Sequence, residues 1–196
     1  MCVGCCDAYP QQDYRFVIYP VMNIEGRICR LRALEPQDID AVYNWENDTT
    51  LWRESGTMAP FSRHALMRFI EEQQYDIYAT RQQRLIIESS IEGEAVIVGA
   101  IDLFDFDPQN LRAGVGIVIS ADYRQQGYGH DALETIERYA RQVLHLHQLW
   151  CSMAARNEAS INLFRGAGFV ECGRRREWIL TPQGAEDEIL MQKIIE

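Results

Sequence analysis

The run Arg124-Gln125-Gln126-Gly127-Tyr128-Gly129 has the make-up of an anion-binding loop. Two glycines clear side chains from the backbone just ahead of a helical stretch. Successive N–H groups at a helix N-terminus can hold a pyrophosphate, and Arg124 and His130 can add positive charge. The plain alternative is a strand-to-helix turn that uses glycine for positive φ. Gly127-Tyr128-Gly129-His130-Asp131-Ala132 also fits the dinucleotide pattern G-x-G-x-x-A. Two features argue against a Rossmann turn. Six residues separate Ser120 from Gly127, and Leu149 to Ser152 stand where an acidic ribose ligand is expected.

A second set of residues could recognise a cation. Asp102, Asp105 and Asp107 recur along one strand and its exit, spacing that can bring them to one face as a carboxylate trough. A solvated strand edge kept soluble by charge is the competing reading. Trp45 and Trp52 beside Glu46, Asp48 and Glu54 would suit cation–π and carboxylate recognition of an amine, or simply pack helices. His145 and His147 have no nearby third ligand except Cys151, so no metal site is expected. Arg174-Arg175-Arg176 reads as a solvated basic face or a phosphate contact.

The elements that must position these residues follow from periodicity. Residues 27–33 read as a strand, and Pro36 opens a helix carrying Ile39, Val42, Tyr43 and Glu46. Ser62 can cap a second helix with Leu66, Phe69 and Ile70 on its apolar face. Residues 84–91 and 95–104 read as a hairpin, and 113–120 as a further strand. The stretch 129–144 carries Leu133, Ile136, Ala140 and Val143 on one helical face. A strand over 147–153, a short helix capped by Asn157, and two antiparallel strands around Thr181-Pro182-Gln183-Gly184 complete the chain. The fold class is α/β (α+β), with a mixed, mainly antiparallel sheet flanked by helices.

The chain has 196 residues with a net charge of −10 and 47% hydrophobic content, which suits one folded domain over 22–196. Such acidity opposes nonspecific nucleic-acid or anionic-membrane binding. No apolar run approaches the ~18 residues of a membrane span, and no secretory signal is visible. Residues 1–21 read as a terminal tail or an over-extended start; Cys2, Cys5 and Cys6 could be metal ligands, though no fourth Cys or His lies nearby, or acylation sites. The six cysteines form no disulfide framework, so a cytoplasmic location is expected.

In that order of elements, Arg124-Gln125-Gln126-Gly127-Tyr128-Gly129 resembles the acetyl-CoA signature [RQ]-x-x-G-x-[GA] of the GCN5-related N-acetyltransferase (GNAT) superfamily. Asn157 to Phe169, ending in a Gly-Phe pair, resembles the second signature. Arg30-Leu31-Arg32-Ala33-Leu34-Glu35-Pro36-Gln37-Asp38 is similar to the opening of the branch holding spermidine and ribosomal-protein alanine acetyltransferases. The resemblance covers residues 28 to about 195.

The resemblance implies a splayed sheet with acetyl-CoA as co-substrate between the strands at 115–120 and 147–153. The backbone of Ile117, Val118 and Ile119 would pair with the pantetheine arm. Arg124, Gln125, Gln126, Gly127, Tyr128, Gly129 and His130 would hold the pyrophosphate, while Asn157 and Phe164 would line the other side. The acceptor would be a small primary amine, a polyamine first and a protein N-terminus second, in a homo-oligomer. Glu46, Glu54 and Asp102 are the candidates for binding the amine or taking its proton.

Two proton carriers usual in that branch are missing: Gly114 stands at the position of a Glu, and Phe164 at that of a Tyr acid. Cys151 and Tyr128 are the candidate substitute acids. A catalytically weak CoA-binding protein is therefore the rival reading.

Overall fold

The computed structural model describes residues 24–73 and 76–195. Among these residues seven strands form one sheet: β1 (Arg30–Ala33), β2 (Gln83–Ile91), β3 (Glu94–Asp107), β4 (Arg112–Ile119), β5 (Gln148–Ala154), β6 (Val170–Thr181) and β7 (Gly184–Ile194). Their spatial order is β1-β2-β3-β4-β5-β7-β6. Every neighbouring pair is antiparallel except β4 with β5. Parallel neighbours need a crossover, and here it is α5 (Tyr128–Gln142), the longest helix described.

The apolar stripes sort the helices onto two faces. α1 (Ile39–Glu46) and α3 (Arg63–Glu72) bury Val42, Leu66 and Ile70 against Leu34, Ile86 and Ala100. On the other face α5 lays Ala132, Leu133, Ile136 and Ala140 on the sheet, beside Ile161 and Phe164 of α6 (Glu158–Gly166). Ser62 and Asn157 cap α3 and α6 as their residue types require, accepting from the Ala65 and Ser160 N–H groups.

Two four-residue helices, α2 (Trp52–Ser55) and α4 (Ile77–Thr80), are additions to the elements read from sequence. The first strand is shorter than 27–33 because the N–H groups of Arg27, Ile28 and Cys29 all donate to the Asp131 carboxylate on α5. Those residues therefore leave the β ladder. The N-terminal tail of the sequence reading, with its three cysteines, lies outside the described residues.

Candidate functional site: a cleft where β4 leaves β5

β4 pairs with β3 along its length, from Gly99↔Ile119 to Phe104↔Gly114. With β5 it pairs only at Arg112↔Gln148, Ala113↔Leu149 and Gly114↔Trp150. From Val115 to Ile119 the β5-facing edge has no strand partner, and Gly116 to Ser120 are half-exposed. An unpaired edge is a row of backbone donors and acceptors that an extended, amide-bearing ligand can satisfy. Ile117, Val118 and Ile119 lie on it.

The loop after β4 points the same way. Gln125 and Gly127 take left-handed conformations, with φ of 61° and 91°, and α5 starts at once with no side-chain cap. Its first N–H groups are thus left for a ligand, the arrangement that binds anions. Arg124 Nε donates to the Ile119 carbonyl at 3.0 Å and Gln126 Nε2 to the Asp122 carbonyl at 2.8 Å, which fixes the loop. Gly129 allows close packing: a Cβ there would meet Leu163 of α6 at 3.3 Å. His130 Nε2 lies 3.2 Å from the Gly166 carbonyl, spanning α5 and α6.

On the α1 face a row of paired residues leads to the cleft. Arg84 on β2 is opposite Asp102 on β3, and Asp102 is opposite Gly116 on β4. Arg84 grips Asp102 with Nε (2.7 Å) and Nη2 (2.9 Å), while Nη1 reaches Glu46 Oε1 at 2.5 Å. The guanidinium sits over the Phe69 ring at 5.1 Å. Two carboxylates share one cation, so the cluster carries a net charge of −1. Although burial opposes it, the pair of carboxylates keeps the Arg84 guanidinium charged.

Phe104 decides what stands beside this row. A Cβ on Gly114 would come within 2.4 Å of the Phe104 ring, so the ring fills the place of any side chain there. Trp150 meets the same ring edge-on, with centroids 5.2 Å apart. At Gly116 the nearest atoms to such a Cβ are Phe104 Cε1 at 3.7 Å and the Asp102 Cβ at 3.9 Å. The strand is therefore bare at Gly116 and covered at Gly114.

The other candidates fall elsewhere. Cys151 is buried in the core, where burial pushes its thiol up to about 12, so it is a poor proton donor. Phe164 is buried edge-on to Phe169, centroids 5.1 Å apart. Tyr128 packs against Tyr123 and, with Gln126, lines a cavity of about 800 Å³ shared with residues 25–30. Glu54 is not grouped with Glu46 and Asp102: it pairs with Arg156 at 3.1 Å and accepts from Asn157 Nδ2 at 3.0 Å.

The aspartate trough does not form. β3 bulges between Phe104 and Asp107, with Asp105 left-handed at φ 48°. Asp107 is spent on its own turn, accepting from Gln109 and Asn110, and pairs with Arg112. Trp45 Nε1 donates to Ser120 Oγ and Trp52 Nε1 to the Glu46 carbonyl, so both indoles pin the α1–α2 segment. Arg174 and Arg175 pair across the ladder with Asp187 and Glu188. Arg84 and Phe104 were missed as site residues. The available signal was a lone arginine in the Ile-rich β2, on the face shared with Ile86.

The acetyltransferase (GNAT) domain family matches residues 29–170, and the chain belongs to that family. An acetyltransferase of this family takes its acetyl group from acetyl-CoA. Among curated relatives, a prophage-derived N-acetyltransferase of Bacillus subtilis is 26% identical over 84% of this chain and 88% of its own length. A spermidine N(1)-acetyltransferase of Vibrio cholerae is 23% identical over 73% of this chain and 79% of its own. A solved spermidine N-acetyltransferase from Vibrio cholerae, in complex with CoA and spermine, superposes with a TM-score of 0.76 at 20% identity. That match covers 85% of this chain and 95% of the other. The splayed, helix-flanked sheet is the GNAT fold.

Proposed function

We propose that the chain is an acetyl-CoA-dependent N-acetyltransferase acting on the primary amine of a small cationic acceptor, a polyamine in the first place. The observation that carries this reading is the unpaired β4 edge at Val115–Ile119, which runs into the uncapped N-terminus of α5. The edge would take the amide-bearing pantetheine arm through Ile117, Val118 and Ile119. Residues Arg124 to His130 would take the pyrophosphate, and Asn157, which caps α6 through Oδ1, would line the far side. Acetyl-CoA, when bound, would supply the activated acyl group.

An ammonium fits the acceptor side. The cluster of Glu46, Arg84 and Asp102 has one negative charge in excess, and Arg84 holds Glu46 through Oε1 alone among its two oxygens in the bonds described. An amine of ordinary pKa ~10.4 must lose its proton before attack. Glu46 and Asp102 are the carboxylates placed to accept it, directly or through one water. The polyamine assignment draws on the spermidine-acetylating relatives. Homo-oligomer formation draws on a dodecameric relative and on the exposed apolar residues Val170, Trp178 and Leu180 of the edge strand β6. A cytoplasmic location remains part of the proposal; no helix among the described residues is long and apolar enough to cross a membrane.

The lack of a hydroxyl at buried Phe164 and of a carboxylate at Gly114 favours one second reading, a weakly catalytic CoA-binding protein. The test is acetyl-CoA turnover against spermidine, spermine, diamines and Ala- or Ser-starting peptides, with products weighed by mass spectrometry. Acetylated polyamine is the expected product. Peptide-only product would move the chain to N-terminal acetylation, and acetyl-CoA binding without product would select the second reading.

A further inference from the structure

Arg84 has no part in either acetyltransferase signature, yet its placement is unusual for a strand residue. Its side chain is 13% exposed and is held on three sides. The Asp102 carboxylate takes its fork, Glu46 takes the remaining nitrogen, and the Phe69 ring lies beneath the plane. Its own N–H donates to Gln73 Oε1 at 2.8 Å, which ties the strand to the end of α3. A guanidinium presents donors in a fixed fork, so it sets the angle between two carboxylates as well as their charge. Lysine offers the charge without the fork.

The register shows where this angle is used. Arg84, Asp102 and Gly116 lie side by side on β2, β3 and β4, and the row ends where β5 has already departed. Since Gly116 has no side chain, Asp102 is one strand spacing, ~4.8 Å, from the open edge. Without Arg84 the two carboxylates would repel, and nothing described would hold Asp102 in line with Gly116.

We propose that Arg84 is the positioning residue of the acceptor site: it holds Glu46 and Asp102 so that their excess negative charge faces an ammonium beside Gly116. This rests on the reading of the cleft as an amine acetyltransferase site. Arg84 does not touch the reacting atoms, and its effect is expected in acceptor kinetics and not in acetyl-CoA affinity.

The experiment compares the full-length chain with Arg84→Lys and Arg84→Met, with spermidine as probe and acetyl-CoA affinity by calorimetry. Both variants are expected to lose ~10–100-fold in kcat/KM for spermidine, the scale of a misplaced binding group, with acetyl-CoA affinity unchanged. Arg84→Lys keeps the net charge of −1 without the fork, so its impairment separates the angle from the charge. Wild-type kcat/KM in Arg84→Lys would reduce Arg84 to a counter-charge and overturn the proposal, as would an unchanged spermidine KM in that variant. If the wild type acetylates no amine, the proposed function fails separately. Calorimetry of spermidine binding to the CoA-loaded protein then decides the role of Arg84. Tighter binding to wild type than to Arg84→Lys supports it, and equal or absent binding overturns it.

Discussion

Asp131 and the Glu46–Asp102 pair are both carboxylate sites withdrawn from bulk water, and they are handled in opposite ways. Asp131, 2% exposed, accepts from the N–H groups of Arg27, Ile28 and Cys29 at 2.8–3.0 Å and from the Cys29 thiol at 3.3 Å. These donors all come from residues 27–29, so the charge is consumed in joining the approach to β1 to α5. Glu46 and Asp102 instead share one guanidinium and keep an excess of −1 at the edge of the cleft. A charge balanced by its own fold is a fastener, whereas one left over beside a bare strand is available to a ligand. Each of the following expectations breaks or sharpens that contrast.

Acid should remove the contribution of the fasteners. Burial alone raises the carboxyls of Asp131, Asp38 and Glu88. It is outweighed by the N–H groups around Asp131, by Arg32 and the Glu35 N–H at Asp38, and by Arg32 and Arg30 at Glu88. All three therefore lie below their ordinary values of 3.8 for Asp and 4.5 for Glu. A lowered native pKa contributes stability that is complete above the ordinary value and is lost as pH falls through the native one. The urea midpoint is expected to hold near neutrality and to drop steeply below those values. A midpoint flat through that acid range would remove these carboxylates from the account of stability.

Removing one fastener is the next largest effect. Asp131→Ala leaves three backbone donors without their acceptor and is expected to cost about 3 kcal/mol in urea unfolding. Asp131→Asn keeps one carbonyl acceptor and should cost less. A loss under about 1 kcal/mol in the alanine variant would mean that residues 27–29 find other partners, and the contrast with the Arg84 cluster would fail.

A smaller effect separates the two glycines beside the cluster. Gly114→Ala drives a Cβ against the Phe104 ring, whereas at Gly116 the same group meets only ordinary contacts. The first substitution is expected to destabilise by ~1–3 kcal/mol, the range of overpacked sites, and to be partly relieved by Phe104→Ala. Gly116→Ala should leave the thermal midpoint nearly unchanged while raising the acceptor KM. Equal destabilisation by both would show that the strand is as crowded at Gly116 as at Gly114.

The same contrast explains what could be read from residue order. Period and caps revealed the major elements: the α5 stripe, the hairpin around Glu92-Gly93, and the caps at Ser62 and Asn157 all form with local partners. The glycine loop was legible because its chemistry lies in consecutive backbone groups. What was not legible depends on long-range pairing. Arg84 meets Glu46 across 38 positions, and Asp131 meets Arg27 across 104. The trough at Asp102, Asp105 and Asp107 failed on two counts: Asp102 and Asp105 are three residues apart, which a period of two puts on opposite faces, and a bulge inserts one extra residue between Phe104 and Asp107. Short α2 and α4 have too few residues to show a period at all.

Glu54 tests the lower limit of the contrast. It connects α2 to the other side of the cleft, through Arg156 and the Asn157 side chain, and Arg156 passes the contact on to Glu186 at 2.5 Å. Unlike Asp131 it is 31% exposed, and unlike Asp102 its partners are half in water. Exposed pairs contribute only ~0.2–1 kcal/mol, because solvent competes for both members and long side chains lose freedom. Glu54→Gln is therefore expected to change unfolding free energy by less than about 1 kcal/mol, with the amide still able to accept from Asn157. Its stability deficit should shrink further with added salt, since the surviving contact is not ionic. A loss of ~3 kcal/mol, insensitive to salt, would place Glu54 among the fasteners with Asp131 and make α2 a structural part of the cleft wall.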